Sequence, residues 1–338
     1  MSSRSRRQPS ARSLVQPKAK SMISYLIRRT LYALPIMLGV AFLCFMLVHI
    51  APGDPLVAIL PPDASVDLQK QLMELYGFNR SYPEQFFSWV WRALQGDLGS
   101  SIATGRPVAA EVFKAVGNTF MLAAMATAIG FLLGSLFGFV AGYFRNSWVD
   151  RAASFISVIG VSVPHYWLGM VLVIIFSSRL MWLPATGAGP DGSGAWVWDL
   201  EHVKYLVMPA VTMSFIPMGI ISRTVRALVA DILSQEFVVG LKARGLSEFG
   251  VFRHVVKNAA PTALAVMGLQ LGYLLGGSIL IETVFSWPGT GFLLNQAIFQ
   301  RDLPLLQGTI LVLALFFVAL NLMVDILQTI FDPRIERA

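Results

Sequence analysis

Few residues in this 338-residue chain could do chemistry, and most of them lie in one polar interruption, 236–254. It reads Glu236-Phe-Val-Val-Gly240-Leu-Lys242-Ala-Arg244-Gly245-Leu-Ser247-Glu248-Phe249-Gly250-Val-Phe252-Arg253-His254. Phe237, Val238 and Leu241 fall at helical spacing. Gly245 can stop that helix in a left-handed turn, with Lys242 and Arg244 near the negative end of its dipole. Ser247 can then cap a second short helix that has Glu248 in its first turn. Two short helices joined by a bend, with an apolar stripe and basic flanks, can dock onto a partner. The alternative is a solvated amphipathic loop lying on lipid.

No catalytic arrangement accompanies this segment. The glycine-rich stretch 187–194 holds no lysine, so it cannot cradle ATP phosphates as a P-loop does, and it reads as an outer loop. HExxH, CxxC and GxSxG are all absent from the sequence. His49, His165, His202 and His254 are scattered and read as packed or interfacial side chains, so neither a metal nor a cofactor is expected. Cys44, the single cysteine, falls inside a hydrophobic run and reads as a buried thiol. Glu282 and Asp325 stand at the ends of apolar runs, where snorkelling or helix capping accounts for them. An ionisable residue at mid-bilayer would cost about 2.5–3.5 kcal/mol and would mark an ion path. The apolar runs are nearly free of such residues.

The elements that must hold these residues are membrane helices. Hydrophobic residues make up 55% of the chain and charged residues 13%, about half the charge of a soluble domain. A crossing of the roughly 30 Å hydrocarbon layer needs about 20 apolar residues. Six runs qualify: 30–50, 115–144, 152–178, 205–222, 258–281 and 303–324. The first follows Arg28 and Arg29, is too long for a signal-peptide core, and lacks an Ala-x-Ala-like site, so it reads as an uncleaved anchor.

Lys and Arg set the orientation. They crowd the first 29 residues without any acid, and they recur in 145–151 and 223–257. The amino terminus, these two loops and the carboxyl tail are expected in the cytoplasm. Segments 51–114, 180–204 and 286–302 are expected outside. The net charge of +7 is thus explained by topology and anionic lipid, not by nucleic acid. Residues 1–22, rich in Ser, Arg, Gln and Pro, are expected to be a disordered basic tail.

The outer segment shows helical spacing at 68–76 and 83–94, with turn signals at Gly96-Asp-Leu-Gly99 and Gly105-Arg-Pro107. A small folded cap is expected there. Gly130, Gly134, Gly138 and Gly142 repeat every fourth residue and form a smooth ridge. Close packing is the plain reading of that ridge, and a face that slides is the sharper one. A looser set, Gly268, Gly272, Gly276 and Gly277, marks the fifth run.

Several separate motifs resemble one family, the inner-membrane permease subunits of binding-protein-dependent ABC importers, in the branch that carries dipeptides, oligopeptides and nickel. They are Ala51-Pro-Gly-Asp-Pro55, Gly96-Asp-Leu-Gly-Ser-Ser101 with Thr104-Gly-Arg-Pro-Val108, Pro164-His-Tyr-Trp-Leu-Gly169 and Trp182-Leu-Pro184. Lys242-Ala-Arg-Gly-Leu246 follows, with Phe252-Arg-His254 and Lys257-Asn-Ala259. Glu282-Thr-Val-Phe-Ser-Trp-Pro-Gly289 and Asp332-Pro-Arg-Ile335 complete the set. The likeness runs from about residue 23 to the end.

The resemblance implies an all-α, six-helix type I importer permease with a small helical outer segment. It implies a first helix and periplasmic segment at 23–113, a permease core at 114–331 containing a coupling loop at 232–256, and a cytoplasmic tail at 332–338. Lys242, Ala243, Arg244, Gly245, Leu246, Ser247 and Glu248 would contact a separate ATPase, so the chain itself is not an enzyme. The implied partners are a second homologous permease, two ABC ATPases and a periplasmic binding protein, in the bacterial inner membrane. One departure stands out: where the broad family has Glu-Ala-Ala, this chain has Val239-Gly240-Leu241. Pro164, Gly272 and Gly276 are the candidate pathway residues. The cargo stays open among peptides, nickel complexes, glutathione-like molecules, and opine or sugar conjugates. The runner-up reading is an ion-coupled carrier acting alone; a structural or assembly protein comes third.

Overall fold

The computed structural model describes residues 22–50, 65–77, 79–192, 196–276 and 278–331. The basic segment before Met22, the motif Ala51–Pro55 and the tail 332–338 lie outside the described residues. Helix α1 spans Met22–Ile50, and α2 (Val66–Tyr76) and α3 (Tyr82–Leu94) form the expected cap. The chain continues as α4 (Val108–Tyr143), α5 (Trp148–Ser162), α6 (His165–Leu172, continued as a π-helix to Arg179) and α7 (Leu200–Leu233). Then come α8 (Glu236–Ala243), α9 (Glu248–Gly276), α10 (Ser278–Val284), α11 (Thr290–Phe299) and α12 (Leu303–Phe331). There is no strand among the described residues, only an isolated bridge from Ser100 to Pro107.

To within a residue at their ends, the six expected crossings fall on helix apart from Val163 and Pro164 in the third and the undescribed residue 277 in the fifth, which divides α9 from α10. Val108–Tyr143, Leu200–Leu233 and Leu303–Met323 are each long and apolar enough to cross alone. At 1.5 Å per residue, the 29-residue helices α1 and α9 reach about 43 Å, more than the hydrocarbon thickness. The third crossing departs from the expected single span 152–178. It is broken by a 100° bend between Ser162 and His165. Pro164 is the cause: it lacks an N–H and forces the preceding residue out of helical geometry, and Val163 is extended at ψ 125°. The helices also outrun the expected spans. The helix of the fourth crossing does not end at Arg223 but runs on to Leu233, because neither glycine nor proline follows Gly219 within it.

The bundle is built around α4 and α7. The glycine ridge of α4 lies on the backbone of α7. A Cβ on Gly134, Gly138 or Gly142 would lie 2.9, 2.5 or 2.8 Å from the carbonyl oxygens of Met218, Ser222 and Arg226. Such an approach gains dispersion and Cα–H···O contacts that any side chain would prevent. α5 meets α7 by a reciprocal glycine pair: Gly160 faces the Phe215 carbonyl, and Gly219 faces that of Ser157. The Ser157 and Ser222 hydroxyls are hydrogen-bonded at 2.7 Å beside that pair.

Three apolar clusters fill the molecule. One, around Leu122, Leu206, Phe285 and Trp287, occupies the cap-side half. A second, around Ile221, Val229, Val238, Val251 and Val255, fills the opposite half. A third, around Leu98, Val108, Ala297 and Leu305, fastens the cap to α11 and α12. Cys44 is buried in α1, as expected.

Polar links sort the connecting segments into two groups. Described residues of the segments expected outside meet at one end: Ser101 donates to Asp302, Trp196 N donates to Asn118 of α4, and Asn118 donates to the Pro288 carbonyl. Segments 145–151 and 223–257 meet at the other, through Asp150 with Arg226. The partition agrees with the one read from Lys and Arg.

Candidate functional site

The segment 236–254 folds as its residues dictate, with one correction. α8 ends at Ala243, with Arg244 as the C-cap residue and Gly245 at φ +80°. Gly245 N donates to Lys242 O at 2.9 Å and Leu246 N to Leu241 O at 3.2 Å. These are the two bonds of a Schellman motif, which needs a residue comfortable at positive φ. Ser247 Oγ then accepts from Gly250 N at 3.2 Å, the cap expected for it. The correction concerns what it caps. Glu248 does not open a second short helix but the full 29-residue α9. No glycine or proline interrupts 251–260, so nothing stops the helix before the membrane.

The bend is therefore joined rigidly to the fifth crossing. It is also tied to the second. Tyr143, in the last turn of α4, donates to Glu248 Oε2 at 2.6 Å, and Lys242 Nζ lies 3.3 Å from Glu248 Oε1. The Tyr143 hydroxyl, then the Lys242 ammonium, hold the Glu248 carboxyl below the usual carboxylate range. Phe252 packs edge-on against Phe139 of α4 at 4.7 Å. Val238, on the inner side of α8, is almost fully buried against α7 and α9.

Lys242, Ala243, Arg244, Gly245, Ser247 and Glu248 are exposed, and Leu246 is half-buried beneath them. Val239 and Phe249 are exposed beside them. The face presented is thus apolar at Val239 and Phe249 and cationic at Lys242 and Arg244. Tyr143 belongs to this site and escaped the sequence reading, because its partner Glu248 is 105 residues away. So did the pair Asp150 and Arg226, which joins the start of α5 to α7. Asp150 is buried outside the expected crossing 152–178 and takes Arg226 on both oxygens, at 2.5 and 2.8 Å. The guanidinium holds the Asp150 carboxyl well below the usual range, against the opposing effect of burial, with help from Asn146 N.

The candidate pathway residues are not brought together. Pro164 is exposed at the α5–α6 bend, and α6 packs on α7 and α10. Gly272 and Gly276 lie near the end of α9, which packs mainly on α7, α12 and α4. Unlike the α4 ridge, Gly272 has room: a Cβ there would stand 3.6 Å from Asn321 Oδ1.

Glu282 corrects half of an expectation. It does not snorkel, being fully buried. It does cap a helix, but a distant one: its Oε2 accepts from Gly291 N at 2.7 Å and Phe292 N at 3.1 Å, at the start of α11. Thr119 of α4 donates to its Oε1 at 2.8 Å. The counterpart Asp325 has no described side chain. This node explains the motif 282–289. Phe285 and Trp287 are buried, and a Cβ on Gly289 would sit 2.5 Å from the Glu282 carboxyl carbon. Phe285 also lies against Gly169, which joins the Pro164–Gly169 motif to the same centre.

Comparison with known proteins agrees with this architecture. The family described as "Binding-protein-dependent transport system inner membrane component" matches residues 134–337, and its amino-terminal counterpart matches 22–123. The dipeptide transport system permease protein DppB of Alkalihalophilus pseudofirmus is 36% identical, covering 93% of this chain and 100% of that protein. The oligopeptide transport system permease protein AppB of Bacillus subtilis is 33% identical, with the same coverage. The glutathione transport system permease protein GsiC of Escherichia coli is 36% identical over 93% of this chain and 99% of its own length. The family and these relatives are transport permease subunits, not enzymes. The chain belongs to the inner-membrane components of binding-protein-dependent transport systems, the permease subunits of ABC importers with the type I fold.

Proposed function

We propose that this chain forms the translocation pathway of an importer for a di- or oligopeptide, or a compound built like one. The names of its relatives support that cargo class. The observation that carries the mechanism is the rigid bend at Gly245. In this reading 232–256 is the coupling loop, and an ABC ATPase seats 242–248 in a groove. Force on α8 then passes into α9 through the Schellman turn, and into α4 through Glu248 and Tyr143.

The remaining assignments follow from the same reading. The chain pairs with a second homologous permease, two ATPases drive the pair, and a periplasmic binding protein delivers solute at the cap end. Both termini, 145–151 and 223–257 face the cytoplasm. The permease core is 114–331, with 23–113 as an added first crossing and outer segment. Solute passes near Pro164, where the bend leaves the proline exposed, and near Gly272 and Gly276 at the end of α9.

Purification of the tagged chain from its native membrane in mild detergent, with mass spectrometry of what accompanies it, tests this. A Walker-motif ATPase and a second six-span permease are expected. Isolation of the chain alone, or only as copies of itself, in several detergents overturns the assembly. Competition of labelled solute uptake by di- and tripeptides then tests the cargo; no competition overturns the peptide class.

A further inference from the structure

Gly240 has no reason inside this chain to be glycine. It stands in the middle of α8 with a helical backbone, and no described atom lies within 4 Å of a Cβ placed on it. Glycine inside an exposed helix is destabilising relative to alanine, because it gives up more backbone freedom on folding. Other glycines are accounted for where they stand: Gly134, Gly138 and Gly142 meet the backbone of α7, and Gly245 takes φ +80°. Gly39 and Gly117 are as open as Gly240, but they lie in expected crossings, where glycine is common. Gly240 lies outside them, so the room beside it suits something outside the chain.

Val238 fixes the direction in which Gly240 faces. It is buried against α7 and α9, and Gly240 lies about 160° around the helix from it, away from the bundle. Phe237 and Val239 stand to either side of Gly240, 40% and 65% exposed. The outward face of α8 is therefore a notch between two apolar side chains, with Glu236 one turn back and Ala243 one turn on. An interfacial helix holds lipid by the apolar side chains it buries, so a lipid surface gains nothing from the notch. A protein surface does gain, because a missing side chain lets another chain approach the backbone closely. Beyond the bend, Phe249 is 76% exposed. It stacks on Phe252 at 6.1 Å and 18°, and Phe252 meets Phe139 of α4 edge-on at 4.7 Å. A ring held out by such a stack is an anchor ordered before any partner arrives.

We infer that the ATPase places an apolar side chain in the notch at Gly240, between Phe237 and Val239, and receives Phe249 in an apolar pocket. This rests on the coupling role proposed for 242–248 and extends the contact on both sides of it, to 237–240 and to 249. The partner surface is accordingly a narrow apolar groove that comes close to the backbone of α8. Side-chain size at position 240, more than charge at 242–248, decides which ATPase fits.

Titration of the purified ATPase onto the permease pair in nanodiscs tests this. Gly240→Ala should bind the ATPase about fivefold more weakly, and Gly240→Leu about fiftyfold, because each added carbon overfills the notch. The thermal midpoint of Gly240→Ala should stay level or rise, since alanine is the better helix former, which separates lost docking from lost folding. Phe249→Ala should weaken binding about tenfold, the loss of one buried aromatic anchor. Less than a fivefold loss in Gly240→Leu overturns the inference. So does tighter attachment of the Gly240→Leu permease to added lipid vesicles at unchanged ATPase affinity, which would place α8 on lipid. Gly245→Trp tells the two readings apart. Wild-type affinity in that variant overturns the coupling role and this inference with it. Affinity lost in Gly245→Trp and kept in Gly240→Leu overturns this inference alone.

Discussion

Gly138 of α4 faces Ser222 of α7 with no room for a side chain between them: a Cβ on Gly138 would sit 2.5 Å from the Ser222 carbonyl oxygen. One turn away on either side, Gly134 and Gly142 meet Met218 and Arg226 in the same way. Both helices advance four residues per contact, so the ridge of one stays in register with the carbonyls of the other. The seam is a packed joint between α4 and α7, and the bend at Gly245 is tied to it through Tyr143 and Glu248.

Gly138→Ala should therefore be among the most damaging single-methyl additions in the bundle. The neighbour that would have to yield is backbone, so overpacking of about 3 kcal/mol is expected. Gly117→Ala, where nothing lies within 4 Å of the new Cβ, should be neutral or slightly stabilising through helix propensity. Thermal unfolding in detergent compares the two; equal midpoints would mean that the seam is not closed in the protein in its membrane.

Gly245→Trp should insert and fold normally, since open space surrounds the position, yet abolish docking of the ATPase. Part of any effect is backbone strain, because φ +80° costs an ordinary L residue about 1–2 kcal/mol. Gly245→Asn separates the two causes, since Asn tolerates that region. Solute uptake should be lost in the first variant and largely kept in the second. Uptake that survives Gly245→Trp would remove the coupling role from this bend.

Asp150→Asn should cost about 3 kcal/mol near neutral pH, because it strands the Arg226 charge in a half-buried setting. The folded Asp150 carboxyl titrates below its unfolded value, so the stability it contributes is complete above the unfolded pKa of about 3.9. That contribution is lost as pH falls through that value towards the folded one. The gap between wild type and variant should accordingly narrow between pH 5 and pH 3, as read from unfolding midpoints in detergent, where roughly a full unit below the unfolded pKa is reached. A gap that stays constant over this range would show that the carboxylate charge is not what holds Arg226.

Local signals were legible in the sequence where they decide structure by themselves. Gly245 and Ser247 specify a helix stop and a helix cap within a few residues, and both took the predicted geometry. Pro164 stands inside the third run, yet the run reads as one span, because hydropathy does not register a missing N–H. The second short helix has no end of its own for the converse reason: 249–257 is polar enough to read as loop, yet nothing in it breaks a helix. Glu282 reads as a charge at a span end, and its burial is not legible, because Thr119 and the start of α11 reach it only through the fold. The same holds for Tyr143 with Glu248 and Asp150 with Arg226, pairs separated by 105 and 76 residues. Patterning shows which face of a helix is buried, but not which distant polar group will be waiting there.

Glu282 offers the sharpest contrast between a structural and an ion-carrying acid. Its oxygens accept from the Thr119 hydroxyl, Gly291 N and Phe292 N. Glu282→Ala strands two N–H groups at the start of α11 in a buried site, and a loss of about 2–4 kcal/mol is expected. Glu282→Gln keeps an oxygen for both N–H groups. Its amide can meet Thr119 Oγ1 while that hydroxyl turns to Thr290, whose own Oγ1 lies 3.0 Å away. The glutamine variant should therefore assemble, lose about 1 kcal/mol of charge-assisted bonding, and transport at close to the wild-type rate. Uptake and thermal unfolding measured on both variants distinguish the roles. Uptake abolished in Glu282→Gln with assembly and stability intact would mean that the carboxylate charge itself takes part in transport, which an ATP-driven permease does not require and an ion-coupled one does.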